Sequence, residues 1–305
     1  MNRGVLYALG AYLMWGAFPI YFKAVQQVPA LEVLAHRMLW SLVFVAALLL
    51  LLRRWHWLAP LLREPQRLAA FAVSALLVSV NWLIYIWAVN AGHIVDASLG
   101  YFINPLVNVL IGALFLHERL RPPQWAAVAL AALGVAWLTW QAGHPPWIGL
   151  ALALTFATYG LMRKRATLGA IEGLAVETAL MAPVALLYLA WLGAQGSSAF
   201  VPAAAGDDLL LAALLVLAGP ITAVPLMLFA AGARRIRFAT LGLLQYVGPT
   251  LQLIIGVALY REPFEPAKLA GYATIWLALA LFTLDSLWRT WRARPVAETA
   301  DAAGP

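Results

Sequence analysis

Apolar residues run along this chain in blocks of about twenty, separated by short polar breaks that are mostly basic. The first block, Gly4–Val25, is too long and too aromatic for a signal-peptide core, so it reads as a membrane span. Further blocks follow at 31–52, 68–90, 94–116, 122–140, 147–163, 171–193, 208–231, 239–260 and 267–288. Each approaches the length, roughly 20 residues, that a bilayer core requires. Ten spanning helices are predicted.

The pattern also repeats. The segment from Ser98 to Pro122 has a second copy from Thr240 to Pro266, in which Pro105 falls on Pro249, Asn108 on Gln252, Gly112 on Gly256 and Glu118 on Glu262. At helical spacing Tyr101, Asn104, Asn108 and Gly112 share one face, as do Gln245, Gly248, Gln252 and Gly256 in the copy. Amides at that depth are expensive in lipid, so these stripes are expected to face a cavity; helix-to-helix glue is the competing reading. Pro105 and Pro249 are expected to break their helices, each leaving a carbonyl one turn back in need of another partner.

Five spans per half is an odd number, so the second half must enter the membrane upside down. The fold class expected is therefore an all-α membrane protein of two inverted five-helix repeats around a central cavity. The halves are residues 1–145 and 146–294, joined at His144-Pro145-Pro146, with a disordered tail at 295–305.

Composition agrees: hydrophobic residues are 64% of the 305, charged residues only 11%, and mean hydropathy is +0.84. Soluble domains carry about 25% charged residues. The chain has no cysteine, which excludes thiolate catalysis and thiolate metal sites. A net charge of +7 does not point to nucleic acid, because the basic residues fall mostly in loops on one side of the ten-span arrangement. Only Lys23, Arg37, Arg261 and Lys268 remain for the other side or the membrane, so both termini are expected in the cytoplasm.

The opening run Gly4–Val25, the segment Glu32-Val33-Leu34-Ala35-His36-Arg37 with Trp40-Ser41, Asn81-Trp82, and Gly100-Tyr101-Phe102-Ile103-Asn104-Pro105-Leu106 together resemble the RarD group. These are bacterial proteins of the EamA branch of the drug/metabolite transporter superfamily, and the resemblance extends to about Leu287. It implies a ten-helix transporter of the bacterial inner membrane, its cavity lined chiefly by the first, third, fourth, sixth, eighth and ninth helices. Candidate substrate-binding residues on those helices are Tyr12, Trp15, Asn81, Tyr85 and Tyr159, beside Tyr101, Asn104, Asn108, Gln245 and Gln252 from the stripes.

Ionisable residues inside spans are the sharper signal, because one charge at mid-membrane costs about 2.5–3.5 kcal/mol on insertion scales. His36, Arg37 and Glu177 are the candidate coupling residues; a structural bond from His36 to Glu32 or a neighbouring helix competes with proton coupling. Glu177 takes the place of Arg37 when Glu172 is matched to Glu32. Glu118 is expected to pair with Arg119 or Arg121, Glu262 with Arg261, and Asp285 with Arg289 one turn on. Small residues on the fifth span, Ala127, Ala131 and Gly134, suit close packing within one chain or between two, which leaves a homodimer open.

No cofactor is expected and no metal site: the histidines lack paired ligand spacing. HExxH, GxSxG and P-loop patterns are absent, so an enzyme is not expected. The function expected is a secondary transporter that exports a small organic metabolite or amphipathic drug-like solute by alternating access. A non-transporting membrane sensor or binding protein, and a membrane-embedded enzyme, are the alternatives. Lipid and a small-molecule substrate are the expected partners.

Overall fold

The computed structural model describes residues 2–90, 94–143, 147–200, 208–261 and 266–292, and no strand occurs among them. The junction expected at 144–146, the tail and Glu262 lie outside the described residues. The first span is divided into α1 (Arg3–Gly16) and α2 (Phe18–Ala24). Proline at position 19 forces this division, since it has no N–H to give the carbonyl of Trp15 and its ring crowds that carbonyl. The second span is α3 (Ala30–Leu51), followed by a short surface helix, α4 (Leu58–Leu62). The next three spans are α5 (Pro65–Asn90), α6 (Ile94–Phe115) and α7 (Pro122–Ala142). In the second half, α8 (Trp147–Arg165), α9 (Ala170–Ala194) and α10 (Asp208–Ala233) correspond to the sixth, seventh and eighth spans.

The ninth span is the most irregular. It comprises α11 (Phe238–Leu244), α12 (Val247–Ile254) and a π-helical turn (Ile255–Leu259), with Gln245 and Tyr246 between the two helices. Pro249 explains the interruption: lacking an N–H, it cannot satisfy Gln245 O, which accepts from Gly248 N at 3.0 Å instead. Its counterpart behaves differently. α6 runs through Pro105 without interruption, which corrects the expectation that both prolines break their helices. One missing donor is tolerated where a neighbour steadies the turn. Here the Tyr246 hydroxyl donates to Phe102 O at 3.2 Å beside the proline. The tenth span is α13 (Pro266–Arg292).

Eight described segments are long and apolar enough to cross a bilayer, the α1–α2 and α11-to-π-turn segments each counting as one. Gly100–Phe115 of α6 is a shorter apolar helix. α8 differs by carrying Arg163, Lys164 and Arg165 in its last turn.

Helix contacts follow a two-fold pattern. Spans two and seven pair through α3 and α9, spans four and nine through α6 and α11, and spans five and ten through α7 and α13. The remaining contacts come in exchanged sets: α6 with α8 answers α12 with α1, α10 with α3 answers α5 with α9, and α1 with α10 answers α8 with α5. Such exchange is what an inverted duplication produces. His117 and Arg261, at matching places after the fourth and ninth spans, both turn the chain at φ 53°.

The small residues of the fifth span are occupied within the chain, because α7 lies against α13. A Cβ on Gly134 would stand 2.7 Å from Ile275 Cγ1 and 2.8 Å from Gly271 O. Gly134→Val should therefore destabilise the protein by about 1–3 kcal/mol through overpacking. Gly193→Val is the control, since nothing lies within 4 Å of that position. Equal thermal midpoints for the two variants would contradict the packing of α7 on α13.

Candidate functional site

A cavity of about 260 Å³ lies between the halves, lined by Pro19 and Lys23 of α2, Tyr101 and Phe102 of α6, Pro249, Gln252 and Leu253 of α12, Gly256 and Tyr260 at the π-turn, and Tyr272 of α13. It sits toward the face where α2 ends. Lys23 marks its mouth, with Nζ 5.3 Å from the centre of the Tyr260 ring. Gln252 is held by the break in the first span: its Nε2 donates at 3.0 Å to Trp15 O. That carbonyl is the one Pro19 leaves without its helical donor. A proline in one half thereby sets the direction of an amide from the other.

Beyond this cavity the two halves are closed by aromatic rings. Trp15 of α1 packs on Phe156 of α8 at 5.6 Å and on Phe229 of α10 at 5.5 Å between centroids. Tyr12 lies 5.8 Å from Trp15, and Tyr159 stacks on Phe229 at 6.3 Å. Tyr12 itself is fixed by a hydrogen bond from its hydroxyl to Leu241 O at 2.9 Å. That carbonyl lies just before the interruption in the ninth span, where Gln245 N turns to Gly242 O.

The stripes divide in this conformation. Tyr101 and Gln252 reach the cavity, whereas Asn108 and Gln245 are buried and bonded across the halves, Asn108 Nδ2 donating to Gln245 Oε1 at 2.9 Å. Asn108 Oδ1 and Asn104 Oδ1 are buried with no hydrogen-bond partner among the described residues. Asn81 is used by a neighbouring helix, its Nδ2 donating to Leu152 O at 2.8 Å and to Thr155 Oγ1 at 2.9 Å. Tyr85 meets Tyr101 edge to face at 5.9 Å.

Arg37 lies roughly 10 Å along α3, at about 1.5 Å of rise per residue. Its Nε donates to Thr222 Oγ1 of α10 at 2.8 Å, and its guanidinium carbon stands 4.8 Å from the Trp82 ring. Trp82 and Thr222 also border a second void of about 10 Å³, whose wall includes Tyr159 and Glu177. That is space for a single water. Glu177 is 2% exposed and has three partners. Ser74 Oγ donates to its Oε1 at 2.5 Å, Tyr159 OH to its Oε2 at 3.4 Å, and Arg163 Nη1 lies 3.6 Å from Oε1. Gly173 makes this possible, because a Cβ there would collide with Arg163 Nη1.

His36 is elsewhere. Its ring lies 4.9 Å from Phe200, its Nδ1 accepts from Trp40 Nε1 at 3.3 Å, and its Nε2 is buried without a partner among the described residues. The alternative bond to Glu32 is not made; Glu32 instead accepts from Ser198 Oγ at 2.8 Å and Ala199 N at 2.7 Å.

On the opposite face from Lys23, polar bonds tie the halves together. Glu118 folds back after the positive-φ turn at His117, into space left by Gly112, and accepts from Phe238 N at 2.6 Å and Ala239 N at 3.0 Å. This corrects the pairing expected with Arg119 or Arg121, because the unsatisfied N–H groups that open α11 are closer at hand. Its basic neighbour is Lys164 at 4.0 Å. Asp285 pairs with Arg121 Nη2 at 2.5 Å, since α7 and α13 are adjacent; the side chain of Arg289, its expected partner, lies outside the described residues. Arg165 Nη2 donates to Phe115 O at 2.7 Å.

Three groups escape the sequence reading. Pro19 does not stand out from the rest of its apolar run, Ser74 is an ordinary polar residue in a span, and Arg163 counts as a loop cation although it is 1% exposed. A signal exists for Arg163: it stands to Glu177 as Lys23 stands to Arg37, fourteen residues earlier in each case.

The sequence pattern of the EamA-like transporter family matches residues 2–140. Protein RarD of Streptomyces exfoliatus is 48% identical, covering 98% of this chain and 94% of its own length. Protein RarD of Escherichia coli is 45% identical over 94% of this chain and 96% of its own, and an uncharacterized transporter of Pseudomonas aeruginosa is 48% identical over 97% of each. A solved crystal structure at 21% identity covers 93% of this chain and 98% of its own with a TM-score of 0.71, which shows a shared fold. A duplicated helical scaffold enclosing a cavity, together with relatives alike over nearly their whole length, makes this chain a member of the EamA-like transporter family, in the group of membrane proteins named RarD.

Proposed function

We propose that the protein is a secondary transporter of the bacterial inner membrane that exports a small organic metabolite by alternating access, its two halves rocking about the interface between them. One observation carries this reading: a cavity of about 260 Å³ lies between the halves, and Gln252 in its wall is bonded to Trp15 O, whose ring packs across the same interface on Phe156 and Phe229 of the second half. With the basic loops and both termini in the cytoplasm, the cavity faces outward and the ring cluster is the inner gate. The resemblance to drug/metabolite transporters supports export over import. Glu177 borders the inner void, which favours it over the sealed His36 as a coupling group.

The test compares metabolites inside and outside cells that make the wild-type protein, the Asn108→Leu/Gln252→Leu double variant, or neither. A compound should move outward with the wild-type protein only. Asn108 and Gln252 each bridge the halves through a side-chain amide. Leucine at both removes two cross-half hydrogen bonds of about 1 kcal/mol each. Transport at wild-type rate by the double variant would show that the amides are helix glue alone. A well-inserted wild-type protein that shifts no compound would favour the sensor reading.

A further inference from the structure

Arg37 is a cation inside a membrane span for which the described residues supply no anion. No carboxylate lies within 4.0 Å of it among them. The two acids nearest in arrangement are committed elsewhere: Glu32 to Ser198 and Ala199 N, and Glu177 to Ser74, Tyr159 and Arg163. Among the described residues only Nε of Arg37 has a hydrogen-bond partner, and the terminal nitrogens are not closed off from accessible space. Leaving such a charge unpaired costs about 2.5–3.5 kcal/mol on insertion scales, so its presence calls for a ligand.

The surroundings show what kind. Phe18, Phe22 and Trp82 present their rings to the guanidinium at 5.6, 5.5 and 4.8 Å, contacts that supply no hydrogen-bond acceptor to its terminal nitrogens. Tyr101, in the wall of the large cavity, meets Tyr85 at 5.9 Å, and Tyr85 stands one turn from Trp82 on α5, so a run of rings leads from that cavity to the guanidinium. Lys23 adds a second positive charge at the mouth. A guanidinium edge matches a carboxylate through two parallel hydrogen bonds, and the ring walls suit an apolar body.

Resting on the transporter reading above, we infer that the solute is a small organic anion, its carboxylate received by Arg37 and its apolar body by Phe18, Phe22 and Trp82. The adjoining cavity of about 260 Å³, lined by Pro19 and Lys23 next to Phe18 and Phe22 on α2, has room for a single-ring acid or one of similar size on its way to Arg37. The Arg163 guanidinium cannot play this part, since Glu177 already neutralises it.

The test uses three probes of one shape and different charge: benzoate, benzamide and benzyltrimethylammonium. Binding is measured on purified protein in phosphatidylcholine nanodiscs, where no anionic lipid competes. Benzoate should bind at least about tenfold more tightly than benzamide, the worth of one charge-assisted bond. Arg37→Gln should abolish that preference and Arg37→Lys should keep part of it. Equal binding of benzamide or of the cation, binding by none of the three, or an unchanged preference in Arg37→Gln overturns the inference. So does loss of benzoate binding on adding phosphatidylglycerol, which would assign Arg37 to a lipid headgroup. Because charge preference is read on the wild-type protein, a variant that misfolds leaves the test intact. Binding of a neutral or cationic probe would remove the anion and leave the transporter standing.

Discussion

Glu177→Ala should lower the stability of the protein by about 3–5 kcal/mol, the usual cost of stripping a buried charge of its partner. The deletion leaves Arg163, 1% exposed, with only the carbonyls of Gly169 and Ala170 as hydrogen-bond acceptors among the described residues, at 3.5 and 3.2 Å. Ser74 and Tyr159 lose their acceptor in the same step. Thermal unfolding in detergent would report the loss. The double variant Glu177→Leu/Arg163→Met should recover much of it, since removing both charges also removes their desolvation. A single variant as stable as the wild type would mean that this cluster is wet and open.

Glu118→Ala should shift the resting population toward states open on the face where Glu118 lies. Its carboxylate holds the first N–H groups of α11 from across the halves. Charge-assisted bonds of that kind contribute about 1.5–3 kcal/mol each, enough for about a tenfold change. The absence of native cysteine makes this directly measurable with single introduced thiols. In the wild-type background Leu253→Cys, in the cavity wall, should react with an impermeant maleimide from the Lys23 face, and the fully buried Ala157→Cys should not react. Adding Glu118→Ala should reduce labelling at 253 from the Lys23 face and raise labelling at 157 when the reagent is supplied from the Glu118 face. Unchanged labelling at both would show that Glu118 is a helix cap without a gating role.

The spans were legible because a bilayer imposes one simple rule, a long apolar block, and the chain obeys it in both halves. The inverted arrangement follows from an odd number of spans and from the match of Pro105 to Pro249. Partners across the interface were not legible. Helical spacing puts Asn108 and Gln245 on their respective stripes, but nothing in either stripe says that these two amides meet. Asp285 takes Arg121 of another helix as a partner, and that pairing is hidden because sequence displays neighbours along a helix better than neighbours between helices. Arg37 is visible as a charge in a span, while its lack of a carboxylate among the described residues emerges only from where Glu32 and Glu177 turn. The division of the first span at Pro19 escapes notice for a related reason: a proline near the end of an apolar run reads as its edge, yet here it releases the carbonyl that positions Gln252.

The π-helical turn at Ile255–Leu259 holds more chain than the α-turn it replaces. Converting it to ordinary α-helix passes one surplus residue outward, and one residue is about 100° of rotation and about 1.5 Å of advance. Tyr260, just past the turn, would sweep more than a quarter circle across the lip above Lys23, while Gln252 keeps its hold on Trp15. Such a change would alter the aperture as a shutter does, within one span and without displacing either half.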